Sequence, residues 1–396
     1  MGFQLTGFRF DFIGRMGAML WISAVLMVGS VVLLATRGLN LGTDFAGGYE
    51  VQVTLPAEAT ESNIASVLSS SLGLEDVRVQ RYGAVQERTH LILVRHHTTL
   101  SKEHQNAVRA EMETLAGGAD KLLTWAVAES GETVHVGFTS EVSEEAVRKV
   151  FEKFPVKIKS IRKGDRSDRP EYTLECVSLA DRIEASLRDA FHVPAQTAVV
   201  SKVEFVGPQV GEQLRNQGIM AVLYAMGFIL IYIAVRFDFY FSPGAILSLL
   251  HDVVITLGFF ALFQYEFNLS VVAAILTLVG YSLNDTIVVY DRVRENVLAV
   301  KGKSLRVLVN TALNETLSRT LLTGVTTMLV VASLLIFGGG GIRDFSVAML
   351  VGVIIGTYSS IAVASPTYIL VREYVESRTK TQGKGSSSGS VSSFAA

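Results

Sequence analysis

Apolar positions along this chain fall into six long runs with one long interruption. The runs occupy residues 17–36, 217–235, 239–263, 270–290, 320–337 and 345–371. Wound as helices at about 1.5 Å per residue, each is long enough to cross a hydrocarbon core of about 30 Å. The first run follows Arg9 and Arg15, as a secretory leader would. It exceeds the usual leader core of about 7–15 residues and reaches Thr36-Arg37 without a small-x-small cleavage site, so the pattern predicts a retained transmembrane helix.

The interruption, residues 37–216, alternates short β-patterned segments with amphipathic helical ones. Period-2 and period-3.6 patterns predict strands at 49–55, 77–82, 90–94, 122–128, 134–138, 156–162, 171–177 and 199–205. Helices are predicted at 60–71, 101–115, 141–154 and 179–191. Two βαβ-like units with short connections imply antiparallel sheets with helices on one face, of the ferredoxin-like kind. The fold class is therefore an α-helical membrane protein with six transmembrane helices and a large extracytoplasmic α+β (ferredoxin-like) domain between helices 1 and 2.

Basic residues orient the spans. Segments 1–16, 236–238, 291–319 and 372–396 carry thirteen lysines and arginines, whereas the short loops on the other side carry Arg343 alone. The positive-inside rule then places both termini in the cytoplasm and residues 37–216 outside it. Residues 291–319 read as a cytoplasmic loop and 372–396 as a disordered cytoplasmic tail, rich in Gly and Ser from Lys380 onward.

Composition narrows the chemistry. The chain is 49% hydrophobic and 18% charged, against about 25% charged for soluble domains. A net charge of -2 supplies no basic field, which argues against nucleic acid as a partner. Cys176 is the single cysteine, so no disulfide forms within the chain. His96 and His97 are adjacent at a strand end, point to opposite faces and read as an exposed polar pair rather than a metal site. No zinc spacing, nucleophile elbow or Walker loop is present. The expectation is a protein with no metal or cofactor, not an enzyme, and driven by an ion gradient.

Asp285 stands out because it lies within the fourth apolar run. A carboxylate at the centre of a membrane helix costs about 2.5–3.5 kcal/mol or more, so it should face a bundle interior or a water path. Tyr281 and Ser282, at i-4 and i-3, share its face, and Gly280 and Asn284 form a small, polar strip beside it. Arg319, at the edge of the fifth run, comes to the same membrane level and could pair with Asp285. His251 and Asp252 interrupt the third run; helical geometry sets adjacent residues about 100° apart, so they are not expected on one face, though either could join a relay. Asp291, Arg292, Arg294 and Glu295 read as a solvated face, and Gly338 to Gly341 as a turn.

Four stretches resemble the SecF family of the bacterial Sec protein-export machinery. They are GTDFAGGYEV from Gly42, KVEFVGPQVG from Lys202, VGYSLNDTIVVYDRVREN from Val279 and NETLSRTLLTGVTT from Asn314. The resemblance implies membership of the resistance-nodulation-division superfamily and a pseudo-symmetric pair with SecD. Such a pair uses the proton gradient to draw preproteins out of the SecYEG channel in the inner membrane, with a YajC-type accessory subunit and membrane lipid as further partners. It implies that Asp285 and Arg319 conduct protons; Asn284 is grouped with them from its place in the polar strip, and Asp252, His251 and Ser282, from their place in the spans, as possible relay members. The family's glycine motif falls on Gly42, Asp44, Phe45, Gly47 and Gly48, at the hinge between the first helix and the outside domain. The outside domain is about twice the length the family leads one to expect, which predicts an inserted second βαβ module near 118–177. A small-molecule or lipid transporter of the same superfamily is the alternative reading.

Overall fold

The computed structural model describes residues 10–386 apart from 57, 75–76, 83–87, 96–97, 165–169 and 301. His96 and His97 therefore lie outside the described residues, as do residues 387–396 of the expected tail. The chain divides into two compact units, one made of residues 1–41 and 216–396, the other of Gly42–Arg215.

The membrane unit begins with α1 (Met16–Thr36) and a two-residue strand β1 (Asn40–Leu41). The chain then enters the α+β unit through a single helical turn, α2 (Thr43–Ala46). There follow β2 (Gly48–Thr54), α3 (Glu61–Leu72), β3 (Val77–Tyr82), β4 (Thr89–Val94) and α4 (Lys102–Ala116). Next come β5 (Leu122–Val127), β6 (Thr133–Phe138), α5 (Glu144–Phe151), β7 (Ile158–Lys163), β8 (Glu171–Cys176), α6 (Leu179–Ala190) and β9 (Val200–Val206).

These strands make two antiparallel four-stranded sheets, ordered β3-β4-β2-β9 and β5-β6-β8-β7. The first is a βαββαβ ferredoxin-like sheet built from β2, α3, β3, β4, α6 and β9. Every second residue of β2 (Tyr49, Val51, Val53) turns inward against Ile64 and Leu68 of α3 and Ile183 and Leu187 of α6. Each such side chain, fully buried, contributes about 1.5–3 kcal/mol.

The second sheet is inserted between β4 and α6. Its elements run α4, β5, β6, α5, β7, β8, which is the same fold with its first strand moved to the end. Val134, Val136 and Phe138 of β6 pack with Val108 and Met112 of α4 and with Val147 and Phe151 of α5. α4 thus belongs to the insertion, which begins near Leu100 and not at 118. Its amphipathic period shows that it buries a face without showing against which sheet.

One side chain holds both modules. Oε1 of Glu132, in the β5–β6 turn, accepts from Tyr49 Oη at 2.9 Å and from the Leu179 N–H at 3.1 Å. Burial and then the Glu132 charge push the Tyr49 hydroxyl above its ordinary range. The ends of the insertion meet at the same turn: Thr99 N–H donates to Ser130 O at 2.9 Å and Cys176 N–H to Glu132 O at 2.7 Å.

The chain leaves this unit through α7 (Pro208–Arg236) and continues with α8 (Ser242–Phe263), β10 (Glu266–Phe267), α9 (Leu269–Ala299), α10 (Leu305–Phe337), α11 (Gly340–Ser359), a π-helical turn at Ser360–Ala364, and α12 (Ser365–Ser386). Among the described residues six helical stretches are long and apolar enough to span a membrane, the last running from α11 through α12. Within the membrane unit β1 pairs in parallel with β10. The π-turn has a local cause: Pro366 lacks an N–H and its ring crowds the carbonyl four residues back. Ser365 Oγ donates to the Ser360 carbonyl across this turn at 3.0 Å.

Three expectations are revised. Residues 291–319 are not a loop, because α9 runs to Ala299 and α10 starts at Leu305. Ion pairs replace lipid there: Arg292 meets Glu295 at 2.6 Å and Glu315 at 2.7 Å. The stretch 372–386, read as disordered, continues α12. The four glycines are divided, Gly338 and Gly339 forming the link while Gly340 begins α11.

Candidate functional site

α9 starts under an Asn268 side-chain cap, its Oδ1 accepting the Val271 N–H at 3.1 Å. Its inner face carries Ser282, Asp285 and Thr286, which are 0%, 3% and 2% exposed. Oδ2 of Asp285 is buried without a hydrogen-bond partner. Tyr281 Oη and Thr286 Oγ1 on α9, Thr320 Oγ1 on α10 and Thr357 Oγ1 on α11 are likewise buried and unpartnered. Gly324 brings three of these helices together, since a Cβ there would lie 3.2 Å from Thr357 Oγ1 and 3.8 Å from Tyr281 Oη.

Arg319 is exposed and close enough to act electrostatically on Asp285, but no ion pair joins the two among the described residues. The arrangement is a separated acid and base, not the contact pair the sequence suggested. Asn284 is exposed, as is Gly280, so this strip faces away from the bundle and Asn284 does not join the buried polar groups.

A second polar centre lies on α8. Contrary to the 100° argument, His251 and Asp252 do meet: Nδ1 is 3.0 Å from Asp252 Oδ1, both residues being 1% exposed. The side chains curl towards each other from one helical turn. Asp252 Oδ2 accepts from Ser282 Oγ on α9 and from Ser359 Oγ on α11, the latter at 2.8 Å. Ser248 Oγ lies 2.9 Å from Ser359 Oγ. Close approach here needs glycine, because a Cβ at Gly356 would sit 3.1 Å from Ser282 Cβ. Sequence reading missed Ser248, Ser359, Thr320 and Thr357; hydroxyls in apolar helices commonly bond to their own backbone and carry little signal. Among the described residues no three His, Cys, Asp or Glu side chains come together in a way that would hold a metal.

The glycine motif lies in the α+β unit. Gly42 caps α2, Phe45 is buried, and Gly47 and Gly48 have φ of +74° and +128°. A Cβ at Gly47 would meet Pro208 Cα at 3.1 Å, and one at Gly48 would meet Val94 O at 2.4 Å. Backbone therefore packs directly on backbone where the chain enters this unit and where it leaves it. Asp44 sits in the first turn of α2, on the side of the helix terminus that favours a carboxylate.

Comparison with known proteins bears on the whole chain. A family model described as protein export membrane protein SecD/SecF, C-terminal, matches residues 186–374, and one described as the SecD/SecF GG motif matches residues 32–55. The protein translocase subunit SecF of Koribacter versatilis is 35% identical over 386 residues, covering 92% of each chain. That of Magnetococcus marinus is 38% identical over 367 residues, covering 93% of each. Coverage this high in both directions means comparable lengths, so the enlarged α+β unit is not peculiar to this chain. The crystal structure of SecDF, a translocon-associated membrane protein from Thermus thermophilus, superposes with a TM-score of 0.63 at 28% identity. It is covered over 93% of this chain and 39% of its own, so this chain spans about two fifths of that longer protein. With its glycine motif, its six membrane helices and relatives matched end to end, the chain belongs to the SecF family of protein translocase subunits.

Proposed function

We propose that this chain works with SecD in the Sec preprotein translocase and uses the proton-motive force to promote late steps of export across the bacterial cytoplasmic membrane. Both termini are cytoplasmic in this reading, the SecYEG channel and a YajC-type subunit are neighbours, and the α+β unit meets the translocating preprotein on the far side. The protein makes and breaks no covalent bond; it converts a gradient into a change of shape.

The observation that carries this reading is Asp285, a membrane carboxylate that is 3% exposed with an unpartnered oxygen while Arg319 stands nearby without bonding to it. Protonation of Asp285 removes its attraction for Arg319, and deprotonation restores it, so the spacing of α9 and α10 follows the proton. One charge crossing 100 mV is worth about 2.3 kcal/mol. That shifts a two-state population about fifty-fold, enough to bias a cycle.

Asp285→Asn in membrane vesicles should insert normally and abolish the gradient-dependent part of preprotein export. Full gradient-dependent stimulation by that variant would sink the proposal. Partial recovery by Asp285→Arg with Arg319→Asp would show that the two residues act on each other directly.

A further inference from the structure

His251 and Asp252 are the only ionisable residues of α8, and both are enclosed. Three side chains converge on Asp252: the Ser282 and Ser359 hydroxyls donate to Oδ2, and His251 Nδ1 lies 3.0 Å from Oδ1. Each of these neighbours is placed to donate to the carboxylate. With Asp252 ionised and His251 neutral, the cluster carries an uncompensated negative charge inside the membrane unit. At its far end His251 Nε2 is buried with no partner. A packing knot would be served by two serines and an amide; it gives no reason for an imidazole with one nitrogen left open.

We propose that His251 and Asp252 form a second proton-holding site of the membrane unit, separate from Asp285, with His251 Nε2 as its port. The neutral imidazole donates through Nδ1–H to Asp252, and its Nε2 lone pair takes up one proton. The result is an imidazolium–carboxylate pair with no net charge, and release is the reverse. Nothing else is made or broken. The surroundings favour such a site. α1 has no ionisable side chain along Met16–Thr36, and the π-turn Ser360–Ala364 has none. α11 contributes Tyr358, whose ring centroid lies 6.3 Å from that of His251 and whose Oη donates to Met19 O at 2.9 Å. From α9 come Tyr281 and Asp285, with Arg319 of α10 acting on the latter.

Uptake here changes the packing as well as the charge. Ser282 lies three residues before Asp285 on the same face of α9, and Ser359 immediately precedes the π-turn. The charge on Asp252 therefore tensions the ties from α8 to α9 and α11. The inference deepens the proton-driven reading, but the proton itself is detected without transport.

The test is ¹⁵N-histidine NMR of the full chain in lipid nanodiscs, with the His251 signal identified by its loss in His251→Gln. The expected result is an imidazole carrying its proton on Nδ1 at high pH that becomes imidazolium as pH falls. Its proton affinity should weaken at least tenfold in Asp252→Asn and stay unchanged in Asp285→Asn. An imidazole that never takes a second proton in the wild-type chain would overturn the proposal, whether or not any variant folds. So would a titration indifferent to Asp252. If Asp285→Asn exports normally while His251 still titrates, the role proposed for Asp285 fails and the second site stands.

Discussion

Replacing Gly48 by alanine isolates what the glycine motif does physically. Gly48 opens β2 with φ at +128°, a region that side chains rarely adopt, and a methyl there would lie 2.4 Å from Val94 O and 3.2 Å from Arg95 Cα. The shortfall from ordinary contact is about 1 Å, and the atoms in the way are backbone of the strand that pairs with β2. Adopting that φ with a Cβ costs about 1–3 kcal/mol, and overpacking costs about 1–3 kcal/mol more. A combined loss of about 3 kcal/mol corresponds to about a hundred-fold change in opening equilibrium. Gly73 supplies the control. It caps α3 at φ +66° with nothing within 4 Å of a Cβ, so Gly73→Ala meets only the left-handed penalty of about 1 kcal/mol. Hydrogen exchange followed by mass spectrometry on the full-length protein in detergent should show β2 and β4 peptides exchanging about a hundred-fold faster in Gly48→Ala, and tenfold or less in Gly73→Ala. Equal acceleration in the two variants would refute the argument that backbone contact at Gly48 holds the sheet.

The insertion and the cysteine give two further tests. Excising residues 100–176, with Tyr49→Phe to spare the hydroxyl that loses Glu132, should leave a protease-resistant first module in the membrane-inserted protein; excising 118–177 should not, because Val108 and Met112 of α4 lose the sheet they cover. Equal resistance of both deletions would contradict the boundary at Leu100. The Cys176 thiol, pushed up to about 11 by burial and then by Glu132, should be about one part in a thousand ionised at pH 8. Maleimide labelling should therefore be slow until denaturant is added, and since the folded state favours the neutral thiol, stability should decline as pH rises past the unfolded thiol's value of about 8.5. Native-state labelling at the rate of a free thiol would contradict this.

Much of the architecture was legible because strand and helix periods are local. The strand expected at 77–82 is observed there, and the other strands of the α+β unit begin and end within two residues of expectation. Partner choice is not local: the period of 101–115 predicts a helix with a buried face but not that this face covers the second sheet. Hydropathy marks where lipid contact ends and not where a helix ends, so the charged turns after Tyr290 looked like a loop, although Arg236 and Asp291 meet at 3.5 Å across α7 and α9. Asp285 was conspicuous as a lone charge in an apolar run. The Asp252 cluster was half legible: the acid and the histidine could be seen, but not the serines of α8 and α11 that complete it.

The strand order of the first module also governs when it can close. β2 is the earliest of its strands and β9 the last, yet they are neighbours, with the entire second module threaded between them. Until Val206 is available, β2 presents an open edge of the kind that invites stray pairing. The second module, by contrast, draws its sheet from Leu122–Cys176 alone. Once it has folded, its two ends are pinned at the Ser130–Glu132 turn, and the span from β4 to α6 shrinks from about eighty free residues to a short bridge, lowering the loop entropy that the last strand must overcome. The inserted module thereby serves the first one as a clamp that shortens its exposure.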